Sequence, residues 1–465
     1  MRTIPGIIRN HRSLKHVRLL SFLLIAVALA VPLRSQLAAP ATSESTIVLD
    51  TASAPLLPST AEIVNNELGN QTNPHLQCNL VSYTFDDFQG ISTIHYKDMA
   101  TGVDNVIPGN QVDLLSDISG SRVAYTEVTF TGDTIRIFDT TSQTQTIVPG
   151  LKRSNPSIGG NLVAFEDRSI SVSAPQIAIY DLTTGTVTPL TDDSLTNLWP
   201  NVSPNGNAIV WDKCQVNAVN CVTYAAVQTM PGVFTTRSLT EVSSRPHLPF
   251  TNGEIAVYVS DRSGENDVYY QTLATGAEVH LSIPGDQRWP RISGDLISFE
   301  SKDANEYDIF VYDIRTGKLS RVTNTPLISE TLSEINVCNG VARIVYSIPG
   351  DGSFDIYSVS FPAPSVTEDQ ISDLMALIGS FNLPPGTANS LTTKLQSALT
   401  AINAGDMATA CSYLTSFTNE CAAQSGKKLT TDQATQLINA ANLIKTSLGG
   451  SVCQSTTILN VGDMK

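Results

Sequence analysis

Seven residues at one place in a recurring motif carry the chain's best prospect of site chemistry: His75, Asp117, Ser157, Asn201, His247, Arg291 and Glu334. Each follows the proline, or in two copies the serine, that opens a unit of about forty residues. If the units circle an axis, these side chains form one ring of charged and hydrogen-bonding groups around it. Such a ring could bind a peptide terminus, a sugar or a cation, although axial channels also fill by default with water and polar side chains. Catalytic motifs are missing: the sequence has no nucleophile elbow, metal-binding histidine motif or phosphate loop. Beyond the first forty residues the histidines are His75, His95, His247 and His280, and just two fall on the ring. A three-histidine metal site is therefore hard to assemble, and no cofactor or metal is expected.

The elements that must position the ring are strands. Copies of the unit begin at Pro74, Ser116, Pro156, Pro200, Pro246, Pro290 and Ser333. Within each, apolar and polar residues alternate with period two, as in LVAFE from Leu162 and IAIYD from Ile177, the pattern of half-buried antiparallel strands. Asn205-Gly206, Asn252-Gly253 and Asn339-Gly340 suit tight hairpins, and Thr-Gly pairs such as Thr184-Gly185 mark the next turn. Asp98, Asp139, Asp181 and Asp313 end the third strand, where a short carboxylate can cap the free amides of that turn. Self-similar meanders at this period predict a mainly β chain, a seven-bladed β-propeller.

The last copy stops at Phe361 without an outer strand, which would leave a sheet edge unpaired. Ala61 to Asn66 resembles the outer strand seen at Leu319 to Asn324, so residues 60–74 are expected to close the last blade of a propeller spanning 60–361. Cysteine placement agrees. Cys78 and Cys338 occupy nearly corresponding positions in the first and seventh copies and become neighbours only in a closed ring, so they are expected to pair. Cys214 and Cys221 would staple a local hairpin; Cys411 and Cys453 form a third expected pair, with Cys421 left over and its exchange with Cys411 open.

Residues 1–41 read as an export signal: a basic lead through Arg18, then an apolar run from Leu19 to Val31 too short for a comfortable span. Removing its six basic residues leaves 22 Lys and Arg against 43 Asp and Glu, a net charge of −21. Nucleic acid is an unsuitable partner for such a surface. The mature chain is expected in the periplasm or outside the cell, without a transmembrane span, bound to a protein or to an envelope or extracellular polymer. Residues 42–59 are expected to be flexible.

After a linker at 362–367, the pattern becomes helical over 368–453, with a flexible tail at 454–465. Helices are expected at Glu368 to Asn382, Ala388 to Ala404, Met407 to Ser425 and Thr431 to Leu448, capped by Thr367, Thr387, Asp406 and Thr430. Each carries one apolar stripe, which predicts a four-helix bundle.

Two family resemblances follow. SPNG at Ser203 to Gly206, VSDRSGENDVYY at Val259 to Tyr270 and DIFVYD at Asp308 to Asp313 resemble the TolB-type repeat, with its WSPDG, IAFxS and DIYxxD signatures. That resemblance implies a propeller that binds partners at its faces. The sequence departs from TolB in having seven copies rather than six and no preceding α/β domain. The stretch from Ser390 to Ile444, most closely SGKKLT at Ser425 to Thr430, resembles the FIMAH-type helical modules of secreted bacterial proteins, which implies an accessory or attachment role. The leading function class is a non-enzymatic binding or scaffold protein. The alternative is a propeller enzyme resembling metal-dependent polysaccharide lyases; a propeller gating a hydrolase has little support, since no Gly-x-Ser-x-Gly occurs.

Overall fold

The computed structural model describes residues 44–448 and Cys453, apart from 111, 170, 172, 216, 243–246, 304–305, 351–352 and 364–365. The expected export signal at 1–41 and the tail at 454–465 lie outside the described residues. Among those described, strands form seven sheets, six of four strands and one of five, built on antiparallel meanders that follow one another in sequence. The innermost strands are Asn70–Gln77, Asp113–Ser119, Arg153–Gly159, Thr196–Val202, Phe250–Thr251, Gln287–Ser293 and Thr331–Cys338. The chain is thus a seven-bladed β-propeller followed by helices.

Each blade is a sheet with two faces, and both pack against neighbours, which explains why second and third strands such as Arg122–Glu127 and Gln176–Asp181 are buried along most of their length. Ile94 and Tyr96 of blade 1 pack on Ile118, Val123 and Tyr125 of blade 2. Ala164 and Ile177 of blade 3 meet Ile209 and Trp211 of blade 4 in the same way. Full burial of one such side chain stabilises by about 1.5–3 kcal/mol. The third strands end as their aspartates require: Oδ1 of Asp139 accepts the amides of Thr141 (2.9 Å) and Ser142 (3.1 Å), and Asp98, Asp181 and Asp313 cap their turns likewise.

Blade 7 takes its outer strand from upstream. Strand β2, Thr60–Asn65, runs antiparallel to Phe354–Pro362, with Thr60 opposite Ser360 and Ile63 opposite Tyr357. Val64 is buried with Leu76 and Val81 of blade 1 and Val345 of blade 7, so the strand joins both ends of the ring. The seam is covalent as well, because Cys78 and Cys338 form a disulfide with Cα atoms 5.3 Å apart. Cys214 pairs with Cys221 and Cys411 with Cys453; Cys421 is a buried free thiol.

Of residues 42–59, expected to be flexible, those from 44 on are fixed to the propeller. Strand β1, Glu44–Val48, adds parallel to Glu278–Ser282 as a fifth strand of blade 5, and the Leu57 amide donates to the Arg321 carbonyl on blade 6 (2.8 Å). Ile47, Leu49 and Ala54 cover the cluster shared by those blades. The outer edges of blades 5 and 6 offer unpaired backbone groups and apolar surface, and the segment satisfies both.

Four helices follow: α1 (Val366–Ser380), α2 (Pro385–Asn403), α3 (Met407–Gln424) and α4 (Thr431–Ser447). Leu391, Leu395, Leu414, Phe417 and Leu437 form their own buried cluster. Asp406 caps α3 by accepting the Thr409 amide (3.0 Å), while Thr430 and Gln433 exchange hydrogen bonds as a capping box at α4. The other two expected caps are corrected. Thr387 lies inside α2, which instead starts after Pro384 with a proline in its first turn, a position where the missing N–H costs nothing. Thr367 lies inside α1.

Candidate functional site

In six blades the innermost strand carries a bulge, and in blade 5 Leu248, two residues before the short strand, takes the same conformation. Asn73, Leu115, Asn155, Trp199, Leu248, Trp289 and Leu332 all have φ between 51 and 56°. The six bulges interrupt the register with the second strand, as between Thr72 and His75 or Leu198 and Asn201. Positive φ is unfavourable for Leu and Trp, and here the following Pro or Ser resumes the strand. The preceding blade clamps the bulge: the Asn155 amide donates to Thr126 (3.0 Å), that of Trp199 to Glu166 (3.2 Å), and that of Leu248 to Asp212 (2.9 Å). The amide of Ser333, next after Leu332, donates to Glu300 (3.1 Å). The buried carboxylates Glu166, Asp212 and Glu300 thus have a structural task.

Two residues after each bulge comes the ring at the axis. His75, Asp117, Ser157, Asn201, Arg291 and Glu334 all occupy it. His247 does not. In blade 5 the repeat proline is Pro249, so the ring residue is Phe250; His247 is buried, with its amide on Asp212 (2.8 Å) and its ring edge-on to Tyr258. Two prolines three residues apart offered two registers, and the longer stretch after blade 4's outer strand made the wrong one fit the forty-residue spacing better. His75 is therefore the only histidine on the ring.

Most of the ring is occupied in joining blades. Asp117 Oδ2 accepts the Ser157 hydroxyl and the Ile158 amide (both 2.8 Å), Ser157 Oγ accepts the Val202 amide (3.0 Å), and Asn201 Oδ1 accepts that of Thr251 (2.9 Å). Glu334 Oε1 takes the Leu76 amide (3.2 Å) across the seam. The rule is constant: a ring oxygen accepts the amide one residue past the ring in the next blade. His75, Phe250 and Arg291 break it. His75 Nδ1 lies 2.7 Å from Glu334 and 3.5 Å from Asp117. Burial works against its charge, but Glu334 and then Asp117 raise its pKa above the ordinary value. Burial likewise penalises the Glu334 carboxylate, yet His75 and Arg291 hold it below the usual range.

Above the ring opens a funnel of about 690 Å3, lined among others by Leu115, Trp199, Leu248, Phe250, Trp289 and Arg291, with Asn73, Asn155 and Asn217 between them. Beneath the ring is a space of only about 40 Å3. The funnel opens on the face where inner strands begin, which in a four-stranded meander also carries the loops between second and third strands. Those loops and connectors expose Leu68, Phe88, Phe130, Leu195, Val242 and Leu327. The mouth residues were not picked out from sequence; their signal was the residue just before each repeat proline, bulky and apolar in three blades.

A seven-bladed propeller with an apolar funnel over a charged ring defines the class of this chain. No protein-family profile matches it, and no curated protein matches it in sequence. Solved structures share the fold. The β-propeller domain of the Trilobed protease from Pyrococcus furiosus, described as having an open velcro topology, superposes with a TM-score of 0.50 at 10% identity over 64% of this chain and 99% of that one. An oligogalacturonate lyase in complex with manganese gives 0.49 at 14% identity over 66% and 95%, and TolB from Acinetobacter baumannii 0.36 at 17% over 66% and 81%. This chain spans only 52% of a similar prolyl endopeptidase and 49% of the acylaminoacyl peptidase from Pyrococcus horikoshii. At such identities the likeness concerns the fold alone.

Proposed function

We propose that this is an exported, non-enzymatic binding protein that takes a protein or other ligand into the funnel of its propeller, with the FIMAH-like helices as an accessory module. One observation carries the reading: the bulges place Leu115, Trp199, Leu248 and Trp289 around the mouth of the funnel, and the surrounding face exposes further apolar side chains. Exposed apolar surface of this extent commonly marks binding. Export is supported by three disulfides, which persist in oxidising compartments. Among the described residues, no helix is long and apolar enough to cross a membrane. The lyase alternative calls for several histidines near the axis, and the ring has His75, already committed to Glu334.

The test is capture of partners from the exported fraction by the propeller bearing Trp199→Ala and Trp289→Ala, beside Met230→Ala on the far face. Selective loss with the funnel variant is expected. Equal capture by all three proteins would sink the funnel reading, and unsaturated sugar products in a lyase assay with manganese would replace it with the enzymatic one.

A further inference from the structure

Resting on the funnel reading, a finer assignment comes from the ring position that joins no blades and pairs with no acid. Arg291 makes no ion pair among the described residues. Its Nη1 donates to the neighbouring Pro290 carbonyl (3.0 Å), its buried Nε has no hydrogen-bond partner, and its guanidinium lies over Phe250 (4.9 Å) and Trp289 (5.7 Å). The other arginine that lines the funnel, Arg168, differs in being paired with the buried Glu166. Two aromatic faces hold the Arg291 fork in place at the funnel floor, and among the described residues no carboxylate pairs with it. We infer that Arg291 is a carboxylate-binding subsite, taking the C-terminal carboxylate of a peptide whose last side chains pack on Trp289, Phe250 and the apolar mouth.

Three features select this ligand. A planar guanidinium with a free donor matches a carboxylate's two oxygens, and charge-assisted pairs of this kind are about twice as strong as neutral ones. Burial without a full counter-charge already depresses the guanidinium's pKa, with Glu334, Glu300 and Asp117 only partly offsetting it, so an incoming anion relieves an existing cost. The funnel narrows sharply at its floor, because His75 holds both Asp117 and Glu334 at the ring and the space beneath is only about 40 Å3. A peptide that enters is expected to end there rather than thread through. Its remaining length would run out over the asparagines of the wall, which can pair with peptide groups, and onto the exposed apolar side chains of that face.

The experiment uses the whole chain and a panel of N-acetyl tetrapeptides with apolar last residues, each as free acid and as amide, with oligomers of galacturonic acid as a second carboxylate source. Binding is read from tryptophan fluorescence and calorimetry. Free acids are expected to bind roughly tenfold or more tightly than amides, and Arg291→Gln to erase that difference with the fold intact by circular dichroism. Arg291→Lys should restore it only in part, since it keeps charge and loses the fork. Equal binding of acids and amides that is still lost in Trp289→Ala would overturn the terminus assignment and leave the funnel reading standing. Arg291-dependent binding of uronates without peptides would overturn the peptide source, and no binding by any probe would overturn the subsite.

Discussion

Two arcs of the axial ring share one backbone and do different things. From blade 7 through blade 4, Glu334, Asp117, Ser157 and Asn201 each accept an amide from the next blade. Across blades 5 and 6, Phe250 and Arg291 accept no such amide, nor does His75 of blade 1, which pairs instead with Glu334; all three line the funnel. Polarity at the axis is therefore a poor guide to binding. Here the polar residues of one arc join blades, and the arc with an aromatic and a cation that makes no ion pair among the described residues is the one proposed above to take a ligand.

The comparison can be broken most forcefully at the seam. Deleting Thr60 to Asn70 removes the outer strand of blade 7 and the buried Val64, exposing a sheet edge. We expect the melting temperature to fall by roughly 10 °C or more; a melt like that of the intact protein would show that the ring closes without β2. Opening the same seam covalently should cost somewhat less. The Cys78–Cys338 bridge closes 260 residues and the Cys214–Cys221 bridge only 7. Chain entropy then predicts losses of up to about 5 to 6 and about 2 kcal/mol for the paired serine variants, measured by denaturant unfolding. A reversed order would mean that local geometry, not ring closure, sets the effect.

A finer cut separates the arcs themselves. Asp117→Ala strands the Ile158 amide and the Ser157 hydroxyl in a buried place and should destabilise by about 1–3 kcal/mol. Phe250→Leu and Arg291→Gln leave no interblade hydrogen bond unmade and are expected within about 1 kcal/mol of the parent. Similar losses at all three positions would dissolve the distinction between a structural and a binding arc.

How far the sequence showed this in advance depends on what was repeated. The seven blades, the closing strand and the Cys78–Cys338 pair were legible because each rests on position within a period. The ring was legible in six blades for the same reason. It failed in blade 5, where Pro246 and Pro249 compete, and where the structural clue is Thr251: its amide, bonded to Asn201, identifies Phe250 as the ring residue. The division of the ring into arcs was not legible, because whether an Asp or a Ser turns its oxygen to the next blade or to the channel is decided by a bulge that no residue type announces. The pairing of segment 44–59 was missed since it is an addition outside the repeat.

The smallest effect concerns protons at another recurring place, two residues before each bulge. There Gln71, Asn197 and Gln287 donate to connector carbonyls of Glu67 (2.8 Å), Leu195 (3.2 Å) and Gly285 (2.9 Å). Blades 2 and 7 carry carboxyls instead. Asp113 is buried with both oxygens unpartnered by side chains; burial and then Glu127 push its pKa up to about 7 against the pull of the Asn110 backbone and Arg136. Burial and Asp308 push Glu330 to about 7 as well, opposed by Thr325 and Thr323. A folded-state pKa above the unfolded one means the native form holds the proton more tightly. Stability from these sites is complete below about pH 4 and is lost as pH rises to about 7, then stays level. Asparagine at 113 or glutamine at 330 keeps a donor at every pH, as in the blades that already have one. Asp113→Asn and Glu330→Gln should thus gain on the parent between pH 4 and 7, reaching on the order of 1–3 kcal/mol above it. The check is denaturant unfolding at both ends of that window, and a gain that does not grow with pH would show that these carboxyls are ionised throughout, with the connectors of blades 2 and 7 held by other means.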